Sequence, residues 1–292
     1  MSTSLPGTKE YPCHPIHLED RTAIESIRRQ AGHTLSAHAF VSLFLWQDSM
    51  CLSVCLRPTA YFVRFQARGE NAWFFPCGST QEKLAFLRLM CAVPGFTLYY
   101  LRQEDLDFLE RYFPGQFSFT PTRGDAEYLY DRTAQLNLRG GAYKNLRSKI
   151  HKARNRHQWQ IHTLDTPTYH LAEQVARLWQ ARRDGPGDLN VALLALQNFE
   201  LLALTGIILE SETGPQAIAF GSLITPDTFD LHVTKTLLPG LDGYLKWELY
   251  QRLPPQVIWI NQEEDLDLPG LRTNKEESIP QRIVPLWKGV IV

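Results

Sequence analysis

The sequence predicts a mixed α/β fold, an α+β arrangement around mixed sheets, built as two tandem domains at 1–125 and 126–292. Three observations predict it. The second half reads as strand, two helices, three strands, helix, strand, helix, strand. The first half follows the same order more faintly, with turn residues separating the elements in both. A chain of 292 residues has the length for two domains of ~150 residues.

The second half gives the clearer reading. Gln158–Leu164 alternates polar and apolar residues like a strand. Thr166 and Pro167 supply a cap and a proline at the first helical position, opening a helix to about Arg182. The breaker run Asp184–Gly187 separates it from a second helix over Leu189–Leu202. Leu204–Glu210, Gln216–Ile224 and Thr228–Thr236 read as strands, divided by turns at Glu212–Gly214 and Pro226–Asp227. Pro239–Gly243 then opens a helix to Leu253. A strand at Val257, a short helix around Leu271 and a last strand over Arg282–Trp287 complete the half.

In the first half, Asp20–Gln30 and Ser36–Gln47 read as helices. Met50–Leu56, Ala60–Ala67 and Ala72–Cys77 read as strands. Gly78, Ser79 and Thr80 open a helix over Gln81–Val93, followed by a strand at Phe96–Leu101 and a helix at Glu104–Tyr112. Extended chain begins at Phe117, and the junction falls between Phe119 and Ala142. This order matches that of GNAT acyltransferases. In that fold a mixed sheet opens between two neighbouring strands, and the helix start after the fourth strand binds pyrophosphate.

Composition narrows the class. Hydrophobic residues at 44% and charged residues at 21% describe an ordinary globular protein. A net charge of -1 argues against a protein that coats nucleic acid, but leaves room for a local basic patch. The first fifteen residues lack a basic start and apolar run, so no leader is expected. Val191–Leu209 is apolar but interrupted by Gln197, Asn198 and Glu200, so no membrane span is expected. Five cysteines without CxxC spacing read as buried free thiols in a reducing cytoplasm, with Cys51 and Cys55 on one face of a strand. The nine histidines are scattered, and His14 and His17 lie in a proline-rich tail, so no metal is expected.

The stretch Gln256–Pro280 carries the densest chemistry. An apolar run, Val257–Ile260, ends in Asn261 and the acids Glu263, Glu264 and Asp265. Arg272 and Lys275 follow three residues apart, on one face of a helix. This layout suits a ligand site at the carboxyl end of a strand, and equally a solvated acidic loop capping a helix. Glu263 and Glu264 are candidate bases, and Tyr244 and Lys235 candidate acids or donors. Arg272 and Lys275 are candidates to hold an acidic acceptor or a donor phosphate. The same charges also suit an internal ion network.

Two further motifs point to phosphate. Gly240 and Gly243 at a helix start can offer backbone N–H groups to an anion, or form a simple tight turn. Leu237 occupies the position where an acyl-CoA signature has a polar residue. The helix Tyr143–His157 carries Lys144, Arg147, Lys149, Lys152, Arg154 and Arg156 beside an apolar stripe of Tyr143, Leu146, Ile150 and Ala153. Lys144, Arg147 and Arg154 read as one side of it, either a solvated face or a dock for RNA or a phosphorylated donor.

Glu127–Arg156 and Gln256–Pro280 together resemble the phosphatidylglycerol lysyltransferase C-terminal-domain family, mostly bacterial proteins with tandem GNAT folds. Tyr128 and Tyr130 match its paired tyrosines, Leu138 and Gly141 the next positions, and Tyr143, Lys144 and Arg147 its basic helix. Asn261, Glu263, Glu264, Asp265, Gly270, Leu271, Arg272, Lys275 and Pro280 match its later motif in register, as do Lys235, Gly243 and Tyr244. Gln262 replaces a usual arginine, Thr234 a common glutamate, and Glu276–Ser278 a Leu-Ser-Tyr triplet. Leu146 and Ser148 flank Arg147 where lysine and asparagine are usual.

The resemblance implies an aminoacyl or acyl transferase with its active centre in the second domain. Its implied donor is aminoacyl-tRNA, with tRNA docked on helix 143–157 and no tightly bound cofactor. With no membrane span expected, a lipid acceptor is disfavoured, and the expected acceptor is an amine or hydroxyl of a soluble small molecule, peptide or protein. Acyl-CoA is the alternative donor, and a catalytically degenerate tandem GNAT binding module the alternative of another class.

Overall fold

The computed structural model describes residues 11–66, 72–183 and 187–292. Most of the segment read for a leader, most of the breaker run Asp184–Gly187 and the strand end at Ala67 lie outside the described residues. The chain divides into two compact units: one runs to Ala126 and takes back Pro285–Val292, and the other is Glu127–Val284.

The first unit contains α1 (Arg21–Gln30), α2 (Phe40–Met50), β1 (Ser53–Arg57), β2 (Ala60–Phe65), β3 (Ala72–Phe74) and β4 (Cys77–Gly78). It continues through α3 (Thr80–Met90), β5 (Thr97–Leu101), α4 (Gln103–Tyr112) and β6 (Phe117–Pro121). The second unit opens with β7 (Glu127–Asp131), α5 (Arg132–Asn137), α6 (Lys144–Arg154), β8 (Gln160–Thr163), α7 (Tyr169–Ala181) and α8 (Leu189–Gln197). Then come β9 (Thr205–Ser211), β10 (Gly214–Thr225), β11 (Thr228–Thr236), α9 (Asp242–Arg252), β12 (Trp259–Asn261), α10 (Pro269–Glu277) and β13 (Arg282–Val284). The last strand, β14 (Trp287–Ile291), belongs to the first unit.

Each unit has a mixed sheet. The first runs β1-β2-β3-β5-β14-β6 with β4 on β2, and is antiparallel except between β3 and β5. The second runs β13-β7-β12-β11-β10-β9-β8 and is antiparallel except between β11 and β12. The expected second domain, 126–292, therefore ends early. Pro285 and Leu286 interrupt the single strand predicted over Arg282–Trp287, and the chain beyond inserts between β5 and β6. A sequence reads continuity along the chain, whereas sheet membership is set by hydrogen-bonding partners far away in it.

Local physics explains the other differences. Ala39 is extended, so the predicted helix Ser36–Gln47 is a short 3-10 turn followed by α2. Cys51 caps α2 in a left-handed conformation and is exposed, so it does not share a strand face with Cys55. Cys55 and Cys77 are buried, whereas Cys13 and Cys91 are half-buried. The predicted strand at Val257 begins two residues later, because the backbone N–H groups of Ile258 and Trp259 both turn onto the Asp227 carbonyl.

The cores follow from the sequence pattern. Phe62, Trp73 and Phe86 anchor the first, with Phe62 and Phe86 stacked at 4.4 Å. In the second, Leu146 and Ile150 of α6 and Leu245 and Leu249 of α9 cover Ala217, Ala219, Phe229 and Leu231 of the sheet. Arg132, the first residue of α5, ties that helix to the end of α9. Its guanidinium donates to the carbonyls of Tyr250 (2.8 Å), Leu253 (2.7 Å) and Pro254 (2.8 Å). These include carbonyls that a helix end leaves without a partner. We predict that Arg132→Ala costs about 2–3 kcal/mol in chemical denaturation. Arg132→Lys should recover little of it, since an ammonium cannot fork to three carbonyls; full recovery would refute this role.

Candidate functional site

Parallel strands β11 and β12 pair over three residues, from Thr228–Trp259 to Asp230–Asn261, and then separate. β11 continues to Thr236, while the other chain turns away at Glu263, whose φ is +59°. A wedge opens between them. Polar side chains fill its apex: Gln262 is buried, donating to the Tyr250 hydroxyl at 2.9 Å and accepting from Lys246 at 2.9 Å.

Further along, a cavity of about 990 Å³ is bounded by α6, the turn from Leu238 to Gly243, and the last turns of α10. Gly240 holds φ +78° in that turn, a conformation that favours glycine. Gly243 lets the first turn of α9 pack closely on α6, since a Cβ there would stand 3.1 Å from Leu146 Cδ1. No side chain caps the N-terminus of α9, so its first N–H groups lack that partner. Lys149 and Lys152 of α6, and Arg156 in the turn just past its end, line the same cavity. Lys149 pairs with Glu277 at 2.6 Å, but both side chains are more than half exposed, and such a pair is weak enough to exchange.

The basic face therefore differs from the one predicted. Lys149 and Lys152 are three apart on α6 beside the buried stripe of Leu146, Ile150 and Ala153, and Arg156 follows in the turn after the helix. Lys144 and Arg154 are exposed and do not line the cavity. Arg147 turns back to the Leu138 and Gly140 carbonyls, closing the loop after α5. Helical phase relative to the apolar stripe carries this distinction.

The acidic stretch is mostly self-engaged. Asp265 is fully buried, accepting from the Tyr128 hydroxyl at 2.6 Å and from Arg272 through two bonds at 2.8 and 2.9 Å. Burial pushes this carboxyl up, but those bonds and the Asp267 amide outweigh it and hold it at about 2. Arg272 also reaches Asp267 at 2.6 Å. Lys275 is buried with its ammonium on the Gln262 and Glu263 carbonyls, and burial pulls it down to about 8. Tyr130 donates to the Lys275 carbonyl at 2.8 Å. The paired tyrosines of β7 thus hold the loop and α10 in place from one strand face.

The remaining candidates lie apart. Tyr244 is buried near Trp159 and Trp247, and burial together with Glu248 pushes its hydroxyl up to about 12. Lys235 is buried against Asp188 and sits 3.9 Å from the Trp179 ring centre. Glu264 is half-buried beside Glu263. Glu263 pairs with His232, whose Nδ1 lies 3.0 Å from its Oε1.

Residues 28–287 match the family model described as phosphatidylglycerol lysyltransferase, C-terminal. The chain belongs to that family. A conserved protein of unknown function from Bacteroides thetaiotaomicron superposes with a TM-score of 0.87 at 26% identity, covering 97% of this chain and 100% of that one. The C-terminal domain of a protein described as a putative lysylphosphatidylglycerol synthetase, from Agrobacterium fabrum, gives 0.67 at 14% identity, covering 93% and 91%. A tandem GNAT protein from the clavulanic acid biosynthesis pathway gives 0.50 at 9% identity, covering 95% and 98%. No curated protein sequence matches the chain. The fold is the mixed α/β fold of GNAT proteins, which in this family supports acyl or aminoacyl transfer. Among the described residues no helix is long and apolar enough to cross a membrane.

Sequence reasoning missed two parts of this family member. Lys246 is buried under the cavity rim, with its ammonium on Asp242 (2.9 Å), Gln262 and Asn274 (3.3 Å). Its four-residue spacing from Asp242 on one helix was the available signal. Asp230, His232 and Glu263 bring three metal-ligand-type atoms within 4.8 Å of one another. Asp230 and His232 lie two apart on β11, and Glu263 stands 31 residues beyond His232 in the turn after β12, so no single spacing announces all three.

Proposed function

We propose that the chain is an aminoacyl transferase. It takes an aminoacyl group from the ester end of aminoacyl-tRNA and delivers it to an amine or hydroxyl of a small molecule or peptide. One observation carries this reading: Lys149 and Lys152 of α6, Arg156 just after it, and the uncapped start of α9 line the same cavity. Helix N-terminus and lysine or arginine together suit a phosphodiester end. Family membership supports the class of chemistry. Acyl-CoA is less favoured, because Leu238 and Pro239 line the cavity edge and Leu237 precedes them where that donor's signature has a polar group.

The test incubates the protein with aminoacyl-tRNA carrying a labelled amino acid, and separately with labelled acetyl-CoA, each with a pool of amine and hydroxyl acceptors. We expect label to pass from tRNA to an acceptor and none from acetyl-CoA. Transfer from acetyl-CoA alone would replace the reading with an acyl-CoA transferase. Neither binding nor transfer from either donor would leave a binding module.

A further inference from the structure

The amino-terminal segment of the first unit is held on β1, the edge strand of its sheet, by very little backbone. Among the described residues one β-bridge joins them, His14 with Val54. Pro12 and Pro15 flank that bridge and have no N–H to extend it. The rest of the attachment is made by side chains. Tyr11 stands edge-on to Phe62 and Phe86, each at 5.0 Å, under the Arg57 guanidinium at 4.9 Å.

This register puts two thiols face to face. His14 and Val54 exchange both backbone bonds, at 3.0 and 2.8 Å. The next pair along, Cys13 with Cys55, is therefore of the non-hydrogen-bonded kind, the closer of the two spacings in antiparallel pairing. Such pairs stand about 4.5 Å apart at Cα, and a disulfide needs about 4.4–6.8 Å. Both side chains point to one face, against the core around Phe62 and Phe86, with Cys55 buried and Cys13 half-buried. Contact with Cys55 lowers the pKa of Cys13, burial opposes this, and Ser53 and Arg64 add to the lowering. Contact with Cys13 and burial push Cys55 up. Cys13 is thus the thiol that ionises and reacts first, with Cys55 beside it as the resolving partner. Cys91, the other half-buried cysteine, is pushed up to about 11 by burial alone.

We propose that Cys13 and Cys55 form an oxidative modification site, which a peroxide converts to a reversible disulfide that locks the amino-terminal segment onto β1. The inference is independent of the donor and acceptor proposed above. The Cys13 thiolate attacks one peroxide oxygen, the O–O bond breaks, and Cys13 becomes a sulfenic acid as one water leaves. Cys55 Sγ then bonds to Cys13 Sγ, and the sulfenic hydroxyl departs with the Cys55 proton as a second water. The two thiols together lose two electrons and the peroxide gains them. A dithiol reductant returns both thiols.

The reduced full chain is treated with about ten equivalents of hydrogen peroxide, and cross-links are mapped by peptide mass spectrometry without reduction. We expect a Cys13–Cys55 cross-link, reversed by dithiothreitol and formed at least ~10-fold faster than any modification of Cys91. The oxidised chain should melt roughly 5–10 °C higher. Exchange of the His14 amide, which donates to Val54, should slow by ~10-fold or more. Cys13→Ser and Cys55→Ala should each abolish the cross-link and both shifts. Cys13 is partly exposed, so Cys13→Ser carries the comparison should Cys55→Ala fail to fold. Four results would overturn the proposal: no Cys13–Cys55 cross-link, sulfinic acid accumulating on Cys13, Cys91 modified as fast, or a cross-linked chain with unchanged melting and exchange. Peroxide shifts that persist in Cys13→Ser would do the same.

Discussion

Removing the three cavity cations together, as Lys149→Ala/Lys152→Ala/Arg156→Ala, is expected to weaken binding of a tRNA donor by ~10²-fold at ~0.1 M salt. All three line the cavity that contains the start of α9. Each lysine or arginine on a phosphate displaces a counterion, so the slope of log affinity against log salt should fall by about 2–3. Lys144→Ala/Arg154→Ala removes two exposed cations outside the cavity and should change affinity less than ~3-fold, leaving the slope near its original value. Filter binding across a salt series reads both quantities. An equal loss in the two variants would mean that α6 attracts RNA through diffuse charge, not through this cavity. The substituted positions in the triple variant are at the surface, so its melting temperature should stay close to that of the native chain.

The largest stability effect is expected at Asp265. Asp265→Ala strands the Tyr128 hydroxyl in the core and removes both Arg272 bonds, at a cost of about 3 kcal/mol. In a protein of this size that corresponds to a Tm lower by roughly 6–12 °C. Native Asp265 also predicts a pH dependence. Its carboxyl is held at about 2 in the folded state against 3.8 unfolded. A depressed carboxyl contributes its stability above the unfolded value and loses it as pH falls from about 4 toward 2. Denaturation midpoints should therefore drop more steeply with acid in the native chain than in Asp265→Asn. Parallel acid profiles would show that Asp265 does not carry the effect.

Arg272 and Lys275 read in sequence as anchors for a ligand, but their charges are engaged within the protein, on Asp265 and Asp267 and on the carbonyls of Gln262 and Glu263. Glu263 is likewise engaged within the protein, its Oε1 3.0 Å from His232 Nδ1.

Much of this protein was legible in the chain alone because the relevant physics is local. The 3.6-residue stripe of α6, the turn chemistry before α9 and the alternation of the central strands determined the elements and their order. The paired tyrosines and the motif after Ile260 determined the family. Facing and partnership were decided by tertiary structure. The α6 cations that reach a cavity depend on which helix face α9 covers, and β14 joins the first sheet because β5 and β6 accept it. Ser222, His232 and Glu263 are separated in sequence by 10 and 31 residues, and the separation of two parallel strands brings them into hydrogen-bond contact. A spacing rule sees neighbours along one element, whereas a wedge between strands joins residues through space.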